Sequence, residues 1–232
     1  MILSNRLQAI ADFVPINTIA GDIGTDHGYI PIYLIKNKIS KKVIATDISK
    51  NSLQKIIKYT EGKEYEDDID IRLGDGLEII KSFEIDTVII AGMGGLLIKD
   101  ILDREKDKRD SITHFILQPN VASKELREYL YENNFTIIDE KLIKEDGKFY
   151  EIIYAKKGKS HVSSEVYFEV GEKLISSKDP LLEEFLKDKI NRAVNILREL
   201  EDKTTMKSIL RQKELKDGIE MLKEVLKKVE SD

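Results

Sequence analysis

The chain contains no cysteine and no tryptophan among its 232 residues. The absence of cysteine excludes disulfides, thiolate metal sites and cysteine nucleophiles. The chain also has no run of 18 consecutive apolar residues, which argues against a membrane-spanning helix. The segment Met1 to Ala11 mixes polar residues into its apolar pattern, which is not the pattern of a signal peptide. We therefore expect a cytoplasmic protein with no membrane partner.

The net charge is small, −5, from 38 basic and 43 acidic residues. The whole chain is therefore no polycation, and a nucleic-acid partner would have to bind a local basic surface. The three histidines, His27, His114 and His161, do not have the spacing of metal ligands, so we expect no metal site.

Strand patterns alternate with helix patterns through the first two thirds of the chain. Ser4 can cap a first helix that runs to about Val14. Strands are predicted at Thr18–Ile23, Lys42–Asp47, Ile69–Leu73, Thr87–Ala91 and His114–Gln118. Helices are predicted at Tyr29–Lys38, Lys50–Thr60, Gly76–Lys81, Leu96–Arg104 and Ser123–Asn133. A hairpin of Thr136–Lys144 and Phe149–Lys156 follows, because Asp146-Gly147 is a strong turn signal.

Strands joined by helical crossovers predict an α/β fold with a doubly wound, Rossmann-like sheet. A terminal antiparallel hairpin on such a sheet is typical of class I methyltransferases, by analogy of fold. The sequence does not set the oligomeric state, and a monomer is compatible with it.

The pattern changes after Gly158, where 159–178 is mixed and polar. Asp179-Pro180 supplies an N-cap and a first-turn proline for a helix to about Glu201. Thr204 or Thr205 can start a second helix, so an antiparallel helical hairpin is predicted. We expect a catalytic domain at 1–158 and a helical domain at 159–232, whose apolar stripes are buried for stability. Its basic residues are either a solvated surface or a contact for RNA phosphates: Lys187, Lys189, Arg192, Arg198, Lys203, Lys207, Arg211, Lys213 and Lys216.

Acids and glycines follow the predicted strands in order. The motifs are Asp22-x-Gly24-x-Asp26-x-Gly28, then Asp47 beside Ile48, then Asp75-Gly76, then Ala91-Gly92-Met93-Gly94-Gly95. Each alone reads as a turn glycine or a helix cap. Together they lie at the carboxyl ends of strands, where open α/β sheets bind ligands, and the ordered set favours a cofactor site.

The acids in these motifs bear on which cofactor binds. In a dinucleotide site a glycine-rich turn faces a pyrophosphate, which the carboxylate of Asp26 would repel. S-adenosylmethionine has no phosphate and carries a sulfonium and an ammonium. The sequence therefore favours S-adenosylmethionine over NAD.

Several of these strings resemble those of one known family. They are DIGTDHGYIPIYL, the AGMGG loop, Gln118-Pro119-Asn120, Glu145-Asp146-Gly147-Lys148 and the opening Leu3-Ser4-x-Arg6-Leu7. They look like the bacterial tRNA (adenine-22-N1)-methyltransferase family, over essentially the whole chain. The resemblance implies a class I methyltransferase core with a C-terminal helical pair. It also implies methyl transfer from S-adenosylmethionine to N1 of an adenine in the D-arm region of tRNA, giving 1-methyladenosine.

The resemblance also implies residue roles. The implied cofactor contacts are Asp22, Gly24, Asp47, Ile48, Asp75, Gly76, Ala91, Gly92 and Met93. The implied catalytic candidates are Asp26, His27 and Tyr29. The implied substrate contacts are Gly94, Gly95, Gln118, Pro119 and Asn120. Apart from the resemblance, Tyr150 follows an exposed turn and is expected to help enclose the base, and Arg6 is expected to contact the RNA.

Chemistry adds to this interpretation. A ring nitrogen has an in-plane lone pair, so N1 chiefly needs positioning against the methyl group and exclusion of water. Methylated adenine is cationic, so a carboxylate can stabilise it or accept a proton from its amine. Asp26 either does this or is a turn residue. His27 is either a base or a loop hydrogen-bonder, and Tyr29 either stacks on the base or only packs.

An adenine in a paired tRNA stem must be unstacked to expose N1, and the protein must grip the surrounding backbone. Arg6, the lysines at 36, 38, 41 and 42, and the C-terminal bases are candidates for this grip. The alternatives are a methyltransferase for a small molecule or protein, an NAD-dependent oxidoreductase, and a non-enzymatic RNA-binding module.

Overall fold

The computed structural model describes residues 2–231. The chain forms two compact units, with the division between Val162 and Ser163. The first unit is built on a sheet and the second contains helices alone. Each unit has its own apolar interior.

The first unit begins with a helix and then alternates strands with helices. Its elements in chain order are α1 (Asn5–Asp12), β1 (Thr18–Ile23), α2 (Tyr29–Lys36), β2 (Ser40–Asp47), α3 (Lys50–Thr60), a 3₁₀ turn (Glu66–Asp68), β3 (Ile69–Leu73), β4 (Thr87–Met93), α4 (Gly95–Arg104), α5 (Lys106–Asp110), β5 (His114–Pro119), α6 (Ser123–Glu132), β6 (Phe135–Glu145) and β7 (Lys148–Lys157). Ser4 caps α1, since its Oγ accepts from Leu7 N at 3.4 Å, as predicted.

The strands form one seven-stranded sheet in the order β3-β2-β1-β4-β5-β7-β6. Strands β1 to β5 pair in parallel, whereas β7 runs antiparallel to both of its neighbours. The predicted Rossmann-like α/β fold with its terminal hairpin is confirmed. The strand order reverses between β1 and β4, which opens a crevice at the carboxyl ends of these strands.

Both faces of the sheet are covered, because neighbouring residues of the central strands enter opposite cores. Ile89 packs with α1, α2 and α3, while Ile90 packs with α4 and α6. On β5, Ile116 belongs to the same core as Ile89 and Leu117 belongs to the same core as Ile90. Each fully buried aliphatic side chain contributes about 1.5–3 kcal/mol, so the two cores hold the strand ends in place.

The second unit contains two short helices, α7 (Val166–Val170) and α8 (Glu172–Ser176), and two long ones, α9 (Leu182–Leu200) and α10 (Met206–Val229). The long helices are antiparallel, as predicted, since Lys187 contacts Glu230 at 2.9 Å and Gln212 Nε2 donates to Leu200 O at 2.7 Å. Thr205 is the N-cap of α10, accepting from Ser208 N at 3.2 Å.

Some predicted elements were wrong or missed. The predicted helix Gly76–Lys81 is a series of turns, because Gly76 has φ +56° and the amides there bond to carbonyls three residues back. Helix α9 begins after Asp179-Pro180 rather than on it, because Asp179 Oδ1 accepts from Leu181 N in a preceding turn. The short helices α5, α7 and α8 were missed, because each is only five residues long. No helix in residues 2–231 is long and apolar enough to cross a membrane.

Candidate active site

A cavity of about 580 Å³ lies at the carboxyl ends of β1 to β4. That volume is within the usual range for a small-molecule site. Most of the predicted site residues line it: Arg6, Asp22, Gly24, Asp26, His27, Tyr29, Asp47, Ile48, Asp75, Gly76, Ala91, Gly92, Met93, Asn120 and Tyr150. Loops that are far apart in sequence therefore meet in one pocket, because parallel strands place their carboxyl ends along the same edge.

The loop after β1 is held against β2 by its backbone. The amides of Gly24 and Thr25 both donate to Thr46 O, at 2.8 and 3.0 Å. Gly24 has φ +74°, and a Cβ there would lie 2.3 Å from Met93 Cε. A side chain at this position would strain the backbone and fill the floor of the cavity.

Asp47 is fixed at the end of β2 by two backbone amides. Its Oδ2 accepts from Asp26 N at 3.2 Å and its Oδ1 accepts from Ser49 N at 2.7 Å. Each carboxylate oxygen has a further lone pair, so Asp47 can still accept two hydroxyl hydrogens of a ribose. Asp75, after β3, pairs through Oδ2 with Arg104 Nη1 at 2.9 Å.

Asp22 is the buried acid of the site, with 4% of its surface exposed. Burial raises its pKa to about 7, a hydrogen bond with Thr25 partly opposes this rise, and the negative charge of Asp47 adds a smaller increase. The cavity thus contains a buried acid whose ionised form a cationic ligand would favour.

Asp26 belongs to a polar cluster at the surface of the cavity. His27 Nδ1 lies 2.7 Å from Asp26 Oδ2, and Lys55 Nζ lies 3.0 Å from His27 Nε2. Because the lysine ammonium can only donate, Nε2 accepts and the imidazole donates from Nδ1 to Asp26. The His27 ring also stacks on Tyr29, with centroids 5.3 Å apart. His27 therefore orients the carboxylate of Asp26.

A hydrogen-bonded wall joins the end of β4 to the end of β5 and to α1. Gln118 Oε1 accepts from Arg6 Nη1 at 2.6 Å and from Gly92 N at 3.2 Å. Asn120 Nδ2 donates to Gly92 O at 2.7 Å. The Arg6 guanidinium lies 5.2 Å from the centroid of the Tyr150 ring. One cation and one aromatic ring thus stand at the same wall of the cavity.

Four predicted substrate contacts do not line the cavity, namely Gly94, Gly95, Gln118 and Pro119. Gln118 is fully buried and holds the wall from behind. A Cβ on Gly95 would lie 2.2 Å from Ala122 O, so this glycine lets α4 approach the loop after β5.

The cavity chemistry suits S-adenosylmethionine. Asp22, Asp47 and Asp75 line the cavity, and S-adenosylmethionine has a cationic end, a ribose and an adenine amine that carboxylates can accept from. The left-handed turn at Gly24, which has no side chain, leaves room for it.

Comparison with known proteins agrees with this chemistry. A family profile described as tRNA (adenine(22)-N(1))-methyltransferase matches residues 20–224. The chain is 35% identical over 230 residues to the tRNA (adenine(22)-N(1))-methyltransferase of Bacillus subtilis (strain 168), covering 97% of each protein.

The chain belongs to the tRNA (adenine(22)-N(1))-methyltransferase family. It is an S-adenosylmethionine-dependent enzyme that methylates N1 of a tRNA adenine.

Solved structures of relatives have the same fold as this methyltransferase. The crystal structure of the B. subtilis m1A22 tRNA methyltransferase TrmK superposes with a TM-score of 0.87 at 34% identity, covering 97% of this chain and 99% of that one. The structure of M. capricolum TrmK in complex with the cofactor product S-adenosyl-homocysteine has a TM-score of 0.84 at 30% identity, covering 98% and 99%. The family resemblance, the activity and the choice of S-adenosylmethionine are confirmed, and the NAD alternative is wrong.

Sequence reasoning missed several groups of the methyltransferase site. Thr25 and Leu97 line the cavity, Lys55 fixes His27, and Arg104 pairs with Asp75. Thr25 lies inside the quoted motif and could have been named. Lys55 and Arg104 lie on α3 and α4, distant in sequence from their partners His27 and Asp75. No local sequence pattern indicates that these side chains contact the site.

Proposed function

We propose that the carboxylates of the cavity divide the recognition of S-adenosylmethionine among themselves. The observation that carries this proposal is the convergence of Asp22, Asp47 and Asp75 in one cavity. Asp47, held by two amides, accepts the ribose hydroxyls, and Asp75 accepts the adenine amine. Asp22 accepts the ammonium, whose positive charge favours the ionised form of the buried acid.

When bound, S-adenosylmethionine supplies a methyl carbon on a sulfonium, which the N1 lone pair attacks while the C–S bonding pair stays on sulfur. The chain positions the target base and excludes water. The wall of Gly92, Asn120, Arg6 and Tyr150 encloses the adenine, and Tyr150 is the aromatic surface there. Tyr29, stacked with His27, closes the other side.

Asp26 is the proposed catalytic carboxylate. Attack through N1 leaves a positive charge on the adenine, shared between N1 and the exocyclic amine. The carboxylate of Asp26 stabilises this charge, and its orientation is set by the hydrogen bond from His27 Nδ1 at 2.7 Å. His27 is a positioning residue in this scheme, since its ring nitrogens are both occupied by Asp26 and Lys55.

The test is Asp26→Asn, which keeps the size and the backbone amide that donates to Asp47. We expect kcat for tRNA methylation to fall by about 10²-fold, while the dissociation constant of S-adenosylmethionine stays within about twofold. Asp67→Asn is the matched control, because Asp67 is an exposed carboxylate on the 3₁₀ turn before β3. An unchanged kcat in the Asp26 variant would leave Asp26 as a turn residue only.

We further infer that adenine 22 is the single modified base. The measurement is methyl transfer from labelled cofactor to an unmodified tRNA transcript, with the product nucleoside identified by mass spectrometry. A second transcript replaces adenine 22 by guanine. We expect 1-methyladenosine from the first and none from the second, and methylation of both would contradict the position.

The second unit is the proposed tRNA-contacting domain. Several of its predicted bases are ion-paired with acids of the same unit, for example Lys187 with Glu183 and Arg192 with Asp188. Near the turn of the helical hairpin, by contrast, Lys203, Lys207 and Lys213 are exposed, and none has an ion pair with another residue of the described chain. Unpaired lysines are available to replace the counterions of RNA phosphates.

The experiment changes these three lysines together to Gln and measures tRNA affinity against salt. Each lost phosphate contact lowers the slope of log affinity against log salt by about 0.7 to 0.9. We expect a slope reduced by about 2 and weaker binding at low salt. The matched control changes three exposed lysines of the first unit, those at 58, 63 and 81, and should leave the slope unchanged. An equal response of both variants would make the hairpin purely structural.

We also infer a cytoplasmic enzyme that needs no metal, since its substrate is tRNA and no cluster of three metal-ligating side chains occurs in residues 2–231. Activity that is lost with a chelator and restored by a divalent cation would contradict the absence of a metal requirement. Recovery of the enzyme in the membrane fraction of cells would contradict a cytoplasmic location.

A further inference from the structure

Three apolar side chains stand exposed beside the cavity, at the start of α4 and in the loop after β5. We call Leu96, Leu97 and Val121 the apolar rim; 54%, 47% and 67% of their surfaces are exposed. None of them belongs to either core of the first unit as the structure describes it. Leu97 also lines the cavity, so the rim continues the wall of the methyl-transfer site.

The apolar rim is held rigidly by backbone contacts. Gly95 N donates to Val121 O at 2.8 Å, and Asn120 N donates to Met93 O at 2.7 Å. Ala122 adopts φ +59°, a conformation that an alanine keeps only when its surroundings hold it there. The close approach of Gly95 to Ala122 allows this packing. A rigid apolar edge is therefore presented to solvent at the mouth of the site.

Single exposed leucines are common on protein surfaces, but a fixed group beside an active site marks an interaction surface. The substrate is a polynucleotide, so the bases next to the target adenine must lie against the mouth when the adenine enters the cavity. The first turn of α4 carries no acidic residue, and Arg6 stands at the adjoining wall. The first turn of α4 thus adds no negative charge that would repel a phosphate backbone.

Extruding a base from a stem leaves a gap in the stack and costs a few kcal/mol. Proteins that unstack nucleic acids commonly insert a leucine, isoleucine or similar apolar side chain at the opened step. We propose that Leu96 and Val121 enter the base stack of the tRNA and occupy the space left by adenine 22. The apolar rim is in this way a base-extrusion device, distinct from the groups that bind the cofactor or handle charge.

The test uses the double variant Leu96→Ser, Val121→Ser in the full-length enzyme, and leaves Leu97 intact because it lines the cavity. Two transcripts are compared, one with the stem intact and one in which the pairing partner of adenine 22 is changed to a base that cannot pair. We expect kcat/KM on the intact transcript to fall about tenfold or more, and the loss on the mismatched transcript to be about twofold or less. A 2-aminopurine placed at position 22 should brighten on binding the parent enzyme and much less on binding the variant.

Two controls separate this role from a structural one. The thermal unfolding midpoint and the affinity for S-adenosylmethionine should be unchanged, because both altered side chains are exposed. Ile16→Ser is the matched variant, since Ile16 is 72% exposed and precedes the amino end of β1, whereas the cavity lies at the carboxyl ends of the strands. It should methylate both transcripts like the parent. Equal losses on both transcripts, no loss on either, or a changed oligomeric state of the double variant would each overturn the proposal.

Discussion

Replacing Asp22 by asparagine should make the enzyme more stable and a poorer cofactor binder. Asp22 is buried at the end of β1, and its pKa in the folded protein is raised to about 7 from a model-peptide value of 3.8. Between these two values the folded chain holds a proton that the unfolded chain has released. Stability contributed by the protonated acid is therefore complete below pH 4 or so, and it is lost as the pH rises towards and through 7.

The magnitude follows from the two pKa values. Relative to low pH, the raised pKa of Asp22 costs the folded state about 2 kcal/mol at pH 5 and about 4 kcal/mol at pH 8. Asparagine has nearly the same shape and does not titrate. The variant should therefore gain about 2 kcal/mol of stability relative to the parent between pH 5 and pH 8. Urea unfolding of the cofactor-free proteins at both pH values, followed by circular dichroism, measures this difference.

The same substitution should weaken the binding of S-adenosylmethionine. In the parent, affinity should rise severalfold between pH 6 and 7.5, as Asp22 ionises to meet the cationic ligand. In the variant, affinity should be lower and nearly independent of pH over this interval, as isothermal titration calorimetry can show. If the difference in stability between variant and parent were the same at pH 5 and pH 8, burial would not raise the pKa of Asp22 as argued.

Two further substitutions test the scaffold of the first unit. Arg127→Met should destabilise the protein by about 3–5 kcal/mol, because it leaves two buried glutamates without the guanidinium that contacts each at 2.7 Å. The control is Arg192→Met, which breaks an exposed ion pair in the second unit. In the same denaturant titration it should change the stability by less than about 0.5 kcal/mol. Gly95→Ala should lower the free energy of unfolding by about 1–3 kcal/mol and lower the rate of tRNA methylation, because the new Cβ would lie 2.2 Å from Ala122 O. Thermal unfolding and a methyl-transfer assay measure the two effects. A fully active, equally stable variant would contradict the proposed packing.

The fold and the cofactor class could be predicted from the residue pattern alone. Alternating apolar runs and helix patterns specify parallel strands, and the carboxyl ends of parallel strands share one edge, so motifs as distant as Gly24 and Asp75 had to meet. Local turn chemistry likewise located the hairpin at Asp146-Gly147, between β6 and β7. Where local signals were weak, prediction was wrong. The segment Gly76–Lys81 has helix-forming residues but is too short to hold a helix against a left-handed glycine.

Properties that depend on distance and burial became clear from the folded chain and not from the residue pattern. The pKa of Asp22 is set by the side chains that bury it, and the tautomer of His27 is set by Lys55 on another element. Gln118 was expected in the site, but packing placed it behind the wall, where it holds Arg6. The exposure of Leu96 and Val121 could not be read from their apolar character, which by itself predicts burial. These properties depend on which surfaces the fold leaves exposed. They involve residues far apart in the chain, so no short stretch of sequence predicts them.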